Sequence, residues 1–164
     1  MKMSRIAILL LGLPVAILSA LPGCSSESAT PPPAQSSGQT AAPQGSYALR
    51  ADTGIDVLYF EESDPCDCMA EVGVVVKNTV NAHFSEELRN GTMQFYVIKS
   101  DDWSNKDTFE MFNNQPFDLF IVEFVEAGRG VAVPVYEFWS MMGDDEAIEL
   151  YVKARIEESL AKLS

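Results

Sequence analysis

Cys66 and Cys68, separated by a single residue, are the side chains of this sequence best suited to chemistry. A thiol attacks or ligates only as the thiolate. A pair this close can exchange disulfides, hold a soft metal ion, or stand as two inert thiols. A Cys-x-Cys bridge closes a small strained ring, and strain makes a disulfide easier to reduce. So short a loop also restricts the unfolded chain very little, so a bridge here suits exchange better than stapling. Glu61, Glu62, Asp64 and Asp67 surround the pair; their charge opposes thiolate formation and would welcome a cation. Cys66, Cys68 and Met69 together offer two thiolates and a thioether, soft ligands that suit Cu(I). A tetrahedral zinc site needs four ligands, and the single histidine, His83, stands 15 residues beyond Cys68. On a helix that is about 22 Å, too far to join the pair. No phosphate loop, Ser-His-Asp arrangement, or flavin or nicotinamide fingerprint is present, so no cofactor is expected.

The pair needs a strand before it and a helix after it. Ile55 to Phe60 is an apolar run rich in β-branched and aromatic residues, which predicts a buried strand. A short acidic turn closed by Pro65 follows. Met69, Val72, Val76, Val80, Phe84 and Leu88 then recur at helical spacing, predicting one helix of five turns stopped by Asn90-Gly91. The cysteines thus sit where unpaired N–H groups and the positive end of a helix dipole favour a thiolate. Met93 to Ile98 predicts a second strand, and Asn105 to Phe112 a short helix with Phe109 and Phe112 on one side. Leu119 to Val125 predicts a third strand, turned at Glu126 to Gly130 into a fourth over Val131 to Tyr136. Pro134 cannot donate to a ladder, which puts this last strand at a sheet edge. Asp144 or Asp145 caps a final helix facing the core through Ile148, Val152, Ile156, Leu160 and Leu163. Trp103, beside a loop, either faces a partner or packs at a helix entry; Phe95, Phe109, Phe112, Phe120, Phe124, Phe138 and Trp139 read as core.

The first crossover requires parallel strands and the hairpin antiparallel ones, so the predicted sheet is mixed. The order β-α-β-α-β-β-α, with four strands flanked by helices, is an α/β arrangement of thioredoxin-like type.

Residues 1 to 23 read as a leader. Lys2 and Arg5 form a basic start, and Ile6 to Leu21 an apolar stretch broken by Gly12 and Pro14, shorter than a membrane span requires. Leu21-Pro22-Gly23-Cys24 resembles a bacterial lipobox. That resemblance implies cleavage before Cys24, its triacylation, and anchoring outside the cytoplasmic membrane by several acyl chains. Ser25, not an aspartate, implies that passage to an outer membrane is permitted. Residues 24 to 46, rich in Pro, Ser, Gln and Ala, bury too little surface to order and read as a tether. Residues 47 to 164 form the single folded domain.

The chain holds 11 Lys and Arg against 24 Asp and Glu. Removing Lys2 and Arg5 leaves nine basic residues and a net charge of −15. Such a surface repels nucleic acid and anionic lipid. The expected partners are the membrane, through Cys24, and a redox partner protein; a monomer is expected.

From Ile55 to Leu163 the chain resembles thioredoxin-like bacterial lipoproteins of the nitrophenyl compound nitroreductase subunit ArsF family. Tyr59-Phe60 ahead of a cysteine, Asp101-Asp102 followed by Asn105-Lys106, and Leu119 to Val122 carry the resemblance. Phe138-Trp139 and Gly143-Asp144 complete it. The resemblance implies an Arg-Cys-x-x-Cys pair. Here Cys66 matches the first cysteine, Met69 occupies the place of the second, Cys68 stands one residue early, and Pro65 replaces the arginine. It also implies a cis-proline ahead of the third strand, near which Pro116 stands, one residue early. The expected activity is thiol-disulfide exchange, Cys66 attacking and Cys68 resolving. The alternatives are Cu(I) binding through Cys66, Cys68 and Met69, or partner docking without turnover. The family's name suggests nitro reduction, but with no flavin or nicotinamide fingerprint none is expected of this chain.

Overall fold

An apolar run interrupted by a single charge must be covered on both sides, and the sheet is built outward from it. In the computed structural model, which describes residues 47–164, β1 (Gly54–Glu61) is buried along its whole length. The leader, Cys24 and the tether, assigned above to residues 1–46, lie outside the described residues. β2 (Met93–Lys99) pairs parallel with β1 on one side, and β3 (Leu119–Glu126) pairs antiparallel on the other. β4 (Arg129–Pro134) runs antiparallel to β3, giving the order β2-β1-β3-β4. The chain is therefore α/β with a mixed four-stranded sheet, and Pro134 lies on an edge strand.

Period-two alternation sorts β1 between two apolar layers. Ile55, Val57 and Tyr59 face α1 (Asp67–His83) and the last helix, Asp145–Ala161, in a core that also holds Val72, Val76, Ile148, Val152 and Ile156. Leu58 and Phe60 face the opposite layer, with Tyr47, Phe120 and Phe124 and the half-buried Phe109 and Phe112. Those last two rings come from the short helix Lys106–Phe112, entered through a 3-10 turn at Trp103–Asn105.

The five-turn helix expected after the cysteines is two helices. α1 ends at His83, Phe84 leaves the helical region at φ −124° and ψ 27°, and α2 (Ser85–Asn90) follows. Periodicity reads through the break because the buried Phe84 and half-buried Leu88 still reach the core that Val80 lines. The stop is where expected: Gly91 closes α2 at φ 81°, a conformation glycine adopts without steric cost. The other helices become α3 (Lys106–Phe112) and α4 (Asp145–Ala161), the latter capped by Asp144, whose carboxylate accepts from the Ala147 N–H at 3.0 Å. Gly73, a poor helix former within α1, has a packing reason. A Cβ there would stand 3.3 Å from the Tyr59 hydroxyl and from a Glu61 oxygen.

At the start of β1 the buried Asp56 accepts from the Tyr47 hydroxyl at 2.9 Å and from Arg50 at 3.4 Å. Arg50, itself buried, also donates to the carbonyls of Ile55, Gly91 and Thr92. One guanidinium thus ties the segment before β1 to the turn that opens β2.

Candidate functional site

Beyond Glu61 the chain leaves the sheet, crosses four residues and enters α1 through Cys66. The Cys66 backbone is extended, at φ −65° and ψ 160°, and its carbonyl accepts from the Met69 and Ala70 N–H groups at 3.0 and 2.9 Å. Cys66 is therefore the N-cap residue and Cys68 lies in the first turn. Both side chains are exposed free thiols, and their sulfur atoms lie 3.1 Å apart. Closing a disulfide would shorten that separation by about 1 Å.

The two thiols are inequivalent. A hydrogen bond from the Cys68 thiol, reinforced by the Met69 N–H, holds the Cys66 thiol below the ordinary cysteine range. Donating that bond, together with partial desolvation, pushes Cys68 up. A thiolate is thus favoured at Cys66 over Cys68.

The structure brings together Cys66 and Cys68, and it divides the rest of the expected neighbourhood. Met69 is half-buried and packs against the α1 and α4 core. Glu61, expected among the carboxylates around the pair, is turned inward instead. It is 7% exposed and is bridged by Lys77 at 2.6 Å and Lys99 at 2.7 Å. Burial opposes its charge, but the bonds from both lysines prevail and hold its carboxyl below the ordinary range. Strand alternation is the cause, since Glu61 shares the α1 face with Tyr59. The carboxylates of Glu62, Asp64 and Asp67 pair with no lysine or arginine among the described residues. Their uncompensated charge faces solvent close to the cysteines. His83 closes the far end of α1, its Nε2 2.7 Å from Glu149 on α4.

Parallel pairing puts the exit of β2 at the same end of the sheet as the cysteines. There the Ser100 N–H donates to the Glu61 carbonyl at 2.9 Å, and Lys99 Nζ donates to the Glu62 carbonyl at 3.3 Å. Asp101 accepts from the Ser63 N–H at 3.1 and 3.2 Å and from the Ser63 hydroxyl at 3.0 Å. The role of Asp101 depends on strand register, which residue type does not reveal. Asp102 next to it caps the 3-10 turn through the Ser104 N–H at 2.9 Å. That turn begins with Trp103, which is 80% exposed with Lys106 Nζ 4.9 Å from its ring centroid.

The loop into β3 also reaches this end, because Leu119 pairs with Tyr59. Every peptide bond among the described residues is trans, the one before Pro116 included. Phe117 follows at φ 72°, a region that a bulky residue rarely enters, and its buried ring meets Trp139 edge-on at 6.4 Å.

Among the described residues no three His, Cys, Asp or Glu side chains gather closely enough to hold a metal ion. Among them, too, no helix is long and apolar enough to cross a membrane. No protein-family model, curated protein or solved structure matches this chain.

Proposed function

We propose that this chain is a lipid-anchored, extracytoplasmic thioredoxin-like protein that exchanges disulfides through Cys66 and Cys68. One observation carries the reading: two exposed thiols 3.1 Å apart at the head of a helix, within hydrogen-bonding distance of one another. Supporting it are the strand order β2-β1-β3-β4, with β3 antiparallel to its neighbours, and helices on both faces of the sheet. The resemblance to the ArsF family points the same way, and the lipobox-like Leu21 to Cys24 supports the anchor.

The Cys66 thiolate attacks one sulfur of a partner disulfide, forming a mixed disulfide and expelling the partner's other sulfur as thiolate. Cys68 releases its proton to solvent, and its sulfur then attacks Cys66, displacing the partner's remaining thiolate. The partner gains two electrons and the pair becomes a disulfide. The raised Cys68 thiol makes this second step the proton-dependent one.

A dithiothreitol redox titration tests the reading. A reversible two-electron couple above about −300 mV is expected. Thiols that never bridge, or a bridge that resists reduction below that potential, refute it. The anchor is tested separately: replacing Cys24→Ser should move the protein from the detergent phase to the aqueous phase in a two-phase extraction.

A further inference from the structure

β1 and β2 pair with a constant offset of 38 residues, from Ile55 opposite Met93 to Glu61 opposite Lys99. That offset outlasts the strands. Ser63 faces Asp101 at the same spacing, but there the carboxylate, not a backbone carbonyl, accepts the Ser63 N–H and also takes its hydroxyl. The ties come in step: Ser100 to Glu61, Lys99 to Glu62, and Ser63 to Asp101. Among the described residues Asp64 and Pro65 make no hydrogen bond, so Asp101 supplies the last fixed point before Cys66.

We infer that Asp101 is a positioning residue, whose carboxylate latches Ser63 and so holds the loop that sets Cys66 at the head of α1. The inference rests on the thiol chemistry proposed above. Without the latch, the three residues between Glu62 and Cys66 can rearrange, and Cys66 spends less time where Cys68 and the Met69 N–H can stabilise its thiolate. Charge and position act in opposite directions here. Removing a carboxylate near a thiol favours the thiolate, whereas releasing the loop disfavours it.

The test measures iodoacetamide alkylation of Cys66 against pH in a Cys68→Ser background, whose hydroxyl can still donate to Cys66. Adding Asp101→Ala should raise the midpoint and slow alkylation at pH 7 by about fivefold, the effect of losing one neutral hydrogen bond. Adding Asp101→Asn, which keeps an acceptor for the Ser63 N–H but not the charge, should leave the midpoint at or below that of the background. A midpoint that falls or stays fixed with Asp101→Ala overturns the inference, because Asp101 would then act as a charge alone or not at all. Asp101 is exposed, so both variants should fold. Failure of the dithiothreitol titration would remove the exchange reading but leave this alkylation profile interpretable. An unmoved profile would remove the latch and leave exchange standing.

Discussion

The two ends of β1 treat polar groups in opposite ways. At its start, Asp56 is fully buried and accepts from Tyr47 and Arg50, while Arg50 also donates to the Asp52 carboxylate and to three backbone carbonyls. Just past its far end, two thiols face solvent and their side chains bond to one another. A buried charge must have its partners supplied by the fold, because an unpaired one is costly. An exposed thiol is left reactive by the scarcity of such ties. One strand therefore has its buried ion pair at its origin and the thiols of the proposed exchange beyond its exit, joined by Glu61, which has a buried carboxylate and half-exposed lysine partners.

Arg50→Ala should break the comparison at its stable end. It leaves Asp56 buried with one partner and takes a donor from the Gly91 carbonyl, while Thr92 keeps the Ile55 N–H, at an expected cost of about 3–5 kcal/mol. Urea denaturation measures the loss, and Cys66 alkylation in the folded variant should be unchanged. A loss below 1 kcal/mol would mean that water replaces the guanidinium without penalty.

Glu61→Gln tests the residue that closes the strand, between its buried start and the thiols. Both lysines are more than a third exposed and can turn to water, so the cost should be about 1–2 kcal/mol, less than full burial would imply. The sign with pH is fixed. A carboxyl held below its unfolded value stabilises the fold above the ordinary glutamate range, and that contribution disappears as pH falls through the folded value. The wild type should therefore lose stability on acidification more steeply than Glu61→Gln. Asp144→Ala, which removes the α4 cap, should cost about 1 kcal/mol and leave the thiols untouched.

The sheet was legible in the sequence because its signals are local. The apolar run of β1, Gly91 at a helix stop, Pro134 at an edge and Asp144 at a cap each act within a few residues. Phe84 was not legible as a break, since its ring continues the apolar stripe while its backbone leaves the helix. The cysteine positions were readable from the strand-to-helix change. Their electrostatic surroundings were not, because Glu61 counts as a neighbour in sequence and a core residue in space. Ser63 and Asp101 stand 38 residues apart, and only the register of two paired strands makes them adjacent.

Cys68→Ala should have the smallest effect on stability, within about 0.5 kcal/mol, because the side chain is exposed and its hydrogen bond is to Cys66 alone. It sharpens the comparison because its effect on chemistry runs the other way. The Cys68 thiol is the largest influence holding Cys66 below the ordinary range, so removing it should move the Cys66 alkylation midpoint upward. The Met69 N–H remains, so the midpoint should stay under that of an unstructured cysteine. Cys68→Ser, whose hydroxyl can still donate, should restore part of the difference. Matching stabilities with separated midpoints would show that this end of the strand is tuned for reactivity without contributing to the fold. Equal midpoints in the alanine and serine variants would instead assign the lowered Cys66 value to the head of α1, and the pair would lose its internal asymmetry.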